Sequence, residues 1–229
     1  MEEENQHKKL NRTFARRIGK TLSDLKQNLL AEELPKHLYR LELLKAGEYD
    51  KVFLEIGFGM GEHLACQIRS NPNALYIGVE VYINGVANLL KQTQSFGCSN
   101  FMIWPDDLDL ILDQMPSASL DGIYILFPDP WHKRRHLKKR LFNQSRLESF
   151  KDKLKNGGFV IFASDIEDYF AAVHKLLDTD HNFTIEGNNF SVPHSGYVQT
   201  KYHSKAIKEE RNTQFVKALL LNSGIPNQL

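Results

Sequence analysis

The 229-residue chain is 41% hydrophobic and 25% charged, which suits one sizeable globular domain and excludes wholesale disorder. A formal net charge of +1 excludes affinity for nucleic acid through bulk charge, so any such affinity must come from where the cations sit. Cys66 and Cys98 lie far apart without paired-ligand spacing, so neither a disulfide framework nor a zinc site is expected, and a reducing compartment fits.

The first residues, MEEENQHKKLNR, are charged throughout and lack the apolar stretch of a signal peptide. No segment approaches the roughly 20 apolar residues that span a bilayer. A soluble, cytoplasmic protein without a membrane partner is therefore expected, monomeric or homodimeric. Residues 1–35 read as a basic arm, with Lys8, Lys9, Arg12, Arg16, Arg17 and Lys20 ahead of the helix-like LSDLKQNLL. Such an arm is either solvated and partly disordered or a contact for RNA. Pro35 marks its end, because proline disfavours helix in the residue before it. Residues 36–229 read as a single domain.

From Lys51 the chain alternates short apolar runs with longer amphipathic stretches. VFLEIG is a strand, GEHLACQIRSN a helix closed by Asn71 and Pro72, and LYIGVE a second strand. A helix from Tyr82 to about Phe96 closes at Gly97, and NFMIW forms a third strand. DLDLILDQM is a short helix, LDGIYILF a fourth strand, and RLESFKDKL a helix before a turn at Asn156-Gly157-Gly158. FVIFAS is a fifth strand, IEDYFAAVHKLL a helix and NFTIEG a sixth strand. The last thirty residues are ambiguous: TKYHSKAI fits a strand, and NTQFVKALLLN fits equally a helix or a strand plus helix. This alternation predicts an α/β fold with a mostly parallel sheet covered on both faces, whose ligands gather at the carboxyl ends of the strands.

Three of those strand ends carry acids. Glu55 precedes Gly57, Gly59 and Gly61, glycines that let the backbone turn tightly against a ligand. The spacing is not that of a dinucleotide loop. A carboxylate in an apolar strand needs a partner and would repel a phosphate, but suits an ammonium group. Glu80 ends the second strand, where an acid can accept both hydroxyls of a ribose. Asp106 and Asp107 follow the third, within reach of an adenine amino group. Alone, Glu80 also fits a helix-capping or surface acid, and Asp106-Asp107 a turn or an N-cap for the next helix. Together the three strand-end acids describe a ligand with an amino group, a ribose and an adenine but no phosphate, which S-adenosyl-L-methionine matches and NAD matches poorly.

The fourth strand ends in Phe127-Pro128-Asp129-Pro130-Trp131-His132-Lys133-Arg134-Arg135. Two prolines fix φ on either side of Asp129, holding its carboxylate on a stiff loop. Lys133, Arg134, Arg135, Lys138, Lys139 and Arg140 then supply cations beside an aromatic, the makings of a phosphate-tracking surface next to a base pocket. The nine histidines show no metal-ligand pairing, so no metal is expected.

With LEIGFGMGEHL, YIGVEVYINGV, LFPDPWHKRRHLKKR, Ser164-Asp165 and Thr200-Lys201-Tyr202, the sequence resembles the TrmB family of tRNA (guanine-N7-)-methyltransferases from about Leu54 to Tyr202. The resemblance implies a class I (Rossmann-like) methyltransferase fold, with a seven-stranded, mostly parallel sheet whose last strand is antiparallel. It implies cofactor contacts at Glu55, Glu80 and Asp107, with Gly57 and Gly59 beside them, and an active-site aspartate at Asp129. Substrate contacts are implied at Lys133, Asp165 and the segment Thr200, Lys201, Tyr202 and His203, joined by the neighbouring Arg134 and Arg135. The family usually carries Glu where His203 stands. The implied reaction moves a methyl group to N7 of a guanosine in tRNA, in the variable loop. Two rivals are an oxidoreductase on a similar sheet, which Glu55 argues against, and a catalytically impaired RNA-binding relative, which His203 alone favours.

Overall fold

The computed structural model describes residues 17, 19, 21–45 and 47–221. Lys8, Lys9, Arg12, Arg16 and Lys20 of the basic arm lie outside the described residues.

Three short helices come first: α1 (Asp24–Glu32), α2 (Leu34–His37) and α3 (Leu41–Lys45). The alternating body follows as β1 (Lys51–Ile56), α4 (Glu62–Ser70), β2 (Ala74–Val79), α5 (Ile83–Phe96), β3 (Phe101–Trp104), α6 (Asp109–Leu112) and β4 (Leu120–Leu126). A 3-10 turn at Arg134–Lys139 leads to α7 (Gln144–Lys153), β5 (Leu154–Ser164), α8 (Glu167–Thr179), β6 (Phe183–Ile185), α9 (Lys201–Lys208) and β7 (Gln214–Leu220).

The seven strands form one sheet in the order β3-β2-β1-β4-β5-β7-β6. β1 to β5 run parallel, and β7 pairs antiparallel with both β5 and β6. Side chains alternate across the sheet at period two. Leu54, Ile56, Ile77, Ile123, Ile125 and Phe162 pack on one face with Leu147 and Phe150 of α7 and Tyr169 and Val173 of α8. Phe53, Tyr76, Tyr124 and Ile161 pack on the other with Leu29 of α1, Leu64 and Ile68 of α4, and Val86, Leu89 and Leu90 of α5. Both faces are covered, as continuous apolar strands require. No helix among the described residues is long and apolar enough to cross a membrane.

The structure corrects three details. TKYHSKAI is helical, because the Thr200 hydroxyl caps the turn by accepting the His203 N–H at 3.2 Å. Buried His203 and Ala206 then fall at helical spacing rather than alternating. NTQFVKALLLN supplies only strand β7, whose ladder to β5 runs from Ser164↔Gln214 to Phe159↔Leu219. Asn156-Gly157-Gly158 lies within β5 rather than before it. The ladder slips there between Leu120↔Leu154 and Gly122↔Phe159, with Gly157 at φ +76° absorbing the extra residues.

Candidate functional site

Strand order reverses between β1 and β4, and at their carboxyl ends lies a cavity of about 400 Å³. Its floor is the loop after β1, where Gly57, Gly59 and Gly61 have φ of +70°, +57° and +78°, a region closed to most side chains. α5 holds this loop from above: Asn88 and Gln92 each donate a side-chain amide to the Met60 carbonyl, at 2.7 and 3.1 Å. Sequence reasoning missed Gly85, which makes the approach possible. A Cβ there would stand 1.9 Å from the Gly59 carbonyl oxygen. Gly85→Ala is therefore expected to cost about 1–3 kcal/mol by overpacking, read as a lowered midpoint in denaturant unfolding.

The acids divide into two groups. Glu80 and Asp107 line the cavity with Asp106 beside them. Each Glu80 oxygen accepts a backbone N–H, from Gly59 at 2.7 Å and Tyr82 at 2.8 Å, so the carboxylate ties β2 to the glycine loop. A carboxylate has further lone pairs, enough to accept a vicinal diol as well. Burial pushes the Glu80 carboxyl above the usual range, against the pull of those backbone N–H groups. Asp106 accepts from Arg17 at 2.6 Å, which brings this residue of the basic arm to the rim of the cavity.

Glu55 does not line the cavity, contrary to the expected cofactor contact. It follows Leu54 and precedes Ile56, both on one face, so strand alternation sends its side chain to the other. There it is 3% exposed and its carboxylate lies 2.8 Å from His63 Nδ1 of α4. Its partner within the protein is the His63 imidazole.

The Pro-Asp-Pro-Trp turn forms the opposite wall. Phe127 and Trp131, which bracket it, have φ of +53° and +47°. Neither is glycine, so each conformation costs on the order of 1–3 kcal/mol that surrounding contacts must offset. Arg140 is one such contact, donating to the Pro130 carbonyl at 2.9 Å and to Asp168 at 2.8 Å while lying over the Tyr169 ring. It is buried, so it ties the turn to α8 instead of joining the exposed cations. Between the strained positions Asp129 stands open at the cavity mouth, yet desolvation by the protein around it raises its carboxyl above the ordinary range.

Lys133, Arg134, Arg135 and Lys138 are exposed on the turn beyond. Lys139 lies 4.7 Å from the centre of the Trp131 ring, and His136 meets that ring edge-on. A second, more open hollow lies between Asp129, Trp131, His132, Lys133 and His136, so the turn is wall to both.

α9 closes the first cavity from the far side. Lys201 and Tyr202 line it, and the Tyr202 ring leans over Gly59. Thr200 and His203 do not reach it: Thr200 is the N-cap of α9, and His203 is buried behind the wall against Phe127. Asp165, at the tip of β5, is also outside the cavity and pairs with Arg211. The geometry thus brings together Gly57, Gly59, Glu80, Asp107, Asp129, Lys201 and Tyr202, and leaves Glu55, Asp165, Thr200 and His203 apart from them. Arg146, which sequence reasoning missed, also lines the cavity and pairs with Asp109 of α6.

The cavity is acidic at Glu80, Asp106 and Asp107 and basic at Lys138, Lys139 and Lys201. A carboxylate wall accepts hydroxyl and amino donors and disfavours phosphate; the basic rim does the reverse. Among the described residues, no group of three or more His, Cys, Asp or Glu could hold a metal.

Residues 49–216 match the family model described as "Putative methyltransferase". A "Bifunctional methyltransferase" of Rickettsia felis is 56% identical over 208 residues, covering 90% of this chain and 39% of the relative. The chain spans less than half the length of the Rickettsia relatives it matches. A "tRNA (guanine-N(7)-)-methyltransferase" of Brucella anthropi is 36% identical over 214 residues, covering 89% of this chain and 92% of the relative. The crystal structure of the 16S rRNA methyltransferase KamB is similar in fold, at a TM-score of 0.58 and 14% identity over 79% of this chain and 92% of that one.

Proposed function

Because the chain belongs to the TrmB family of methyltransferases, we propose that it transfers a methyl group from S-adenosyl-L-methionine to N7 of a guanosine in tRNA, giving 7-methylguanosine. The observation that carries this reading is one cavity lined by Glu80, Asp106 and Asp107, by Lys138, Lys139 and Lys201, and by Asp129. The acid-lined part fits a donor with a ribose and an adenine but no phosphates. Glu80 would take the ribose hydroxyls, Asp107 the adenine end, and the glycine loop the backbone-close approach. The donor supplies an electrophilic sulfonium methyl. Glu55 acts behind this wall by fixing α4 through His63, with no contact to the donor.

Guanine N7 carries an exposed lone pair and no proton, so the chain needs no general base. Its task is to align the purine and to stabilise the positive charge that grows on the ring. Asp129 has both the place and the rigidity for this: prolines on each side, strained positions beyond them, and Arg140 behind. It accepts hydrogen bonds from the guanine edge and offsets the ring charge. Lys133, Arg134 and Arg135, exposed on the outer side, grip the tRNA phosphates, with Lys201 and Tyr202 over the mouth. tRNA is then the partner and the cytoplasm the place of work. The variable-loop guanosine is the target by family likeness.

Calorimetry tests the donor assignment. S-adenosyl-L-methionine is expected to bind and NADH to give no heat, since the glycine loop after β1 lacks the spacing that cradles a dinucleotide pyrophosphate. Binding of NADH in preference would overturn the assignment.

A further inference from the structure

We propose that His203 is a positioning residue for Asp129, holding the strained turn that aims the carboxylate by stacking on Phe127. This rests on the reading of Asp129 given above. The His203 and Phe127 rings stack at 5.3 Å between centroids and 22° between planes. Both imidazole nitrogens are engaged: Nδ1 lies 2.9 Å from the Tyr197 hydroxyl and Nε2 3.2 Å from that of Thr213. Hydroxyls donate or accept, so the pair fixes the ring in either tautomer. The edge of Phe215 closes the cage, 5.8 Å from Phe127 and 5.5 Å from His203.

Four separate elements therefore converge on one ring: α9, β7, the loop before α9 and the end of β4. Phe127 sits two residues before Asp129 and holds φ at +53°. Its N–H donates to the Ala163 carbonyl at 2.9 Å, which pins its backbone on one side and leaves the side chain to set the other. A bulky residue keeps such a conformation only when its surroundings over-determine it. His203 supplies a flat, neutral surface with two hydrogen-bonding ends, a shape that a carboxylate at this position would not provide. The departure from the usual family residue is thus a change in how the turn is braced, not a loss at the substrate surface.

The test compares His203→Ala with His203→Phe, which keeps the stacking ring, at saturating S-adenosyl-L-methionine with tRNA varied. His203→Ala is expected to lower kcat on the order of 10²-fold, the scale of an ångström-level misplacement. KM for tRNA should stay near wild type, since the basic surface is untouched. His203→Phe should recover about tenfold or more of the loss. In the free enzyme, acrylamide quenching of Trp131, read in a Trp104→Phe background, should increase in His203→Ala and return in His203→Phe. If His203→Ala does not fold, Thr213→Val, which removes one ring partner, carries the same two readouts at smaller size. Wild-type kcat and quenching in every folded variant, or a loss confined to KM, would overturn the role of His203. Asp129→Ala run alongside separates the failures: full activity there sinks the reading of Asp129 itself.

Discussion

Asp129→Asn is expected to lower methyl transfer to tRNA by about 10²–10³-fold, the loss typical of removing one preorganised electrostatic group. The amide keeps the shape of the side chain but cannot balance a cation on the purine. Binding of S-adenosyl-L-methionine should change little, because the acid-lined wall at Glu80 and Asp107 is separate. The pH dependence has a definite sign. Burial raises the Asp129 carboxyl above its ordinary value of 3.8, so activity should fall on acidification through a pH above that of an exposed aspartate. Stability moves the other way. With the folded pKa above the unfolded one, the native state binds its proton more tightly, and stability declines as pH rises through this window. Above the folded pKa the cost of the partly desolvated charge persists. Asp129→Asn removes it, so its melting temperature at neutral pH should equal or exceed wild type while activity collapses. A variant that is both inactive and markedly less stable would point to a structural role instead.

Neutralising Lys133, Arg134 and Arg135 together to Gln should weaken tRNA binding in a salt-dependent way. Each lost phosphate contact removes about 0.7–0.9 from the slope of log affinity against log salt, so the triple variant should be flatter by about 2–3. Between 50 and 200 mM salt the wild type should then lose about 20- to 40-fold more affinity than the variant. Arg140 is left out deliberately: it is buried against Pro130 and Asp168, and changing it would disturb the Asp129 turn as well as the charge. Equal slopes in filter binding would remove these three residues from the RNA surface.

Much of the fold was legible because strands and helices impose different periods. β1 to β5 and α4, α5 and α8 fall close to their expected places, and glycines mark the site loop. The failures have common physical causes. VFLEIG is apolar on both sides of Glu55, so nothing local shows which way Glu55 faces; His63, its partner, declares itself only once α4 lies on that face. TKYHSKAI is too short and too polar to settle its period, while a single threonine cap and the inward pair His203 and Ala206 decide for helix. Arg140 looks like its five cationic neighbours until the fold brings the Pro130 carbonyl and Asp168 to it. Gly85 carries no local signal either, since its role is the contact with a carbonyl twenty-six residues earlier. Of the expected site residues, Gly57, Gly59, Glu80, Asp107 and Asp129 after successive strands line one cavity with Lys201 and Tyr202 of α9, while Asp165 after β5 does not.

The account stands on a methyl donor lying along the acidic wall and a purine held beside Asp129 with N7 turned toward the donor's methyl group. The most direct measurement is incubation of a tRNA transcript with methyl-labelled S-adenosyl-L-methionine, followed by chemical cleavage specific for 7-methylguanosine. Label in the RNA together with strand scission at one guanosine is the predicted result. Label without scission, placing the methyl on another atom, or no label with an intact, donor-binding protein, would contradict it.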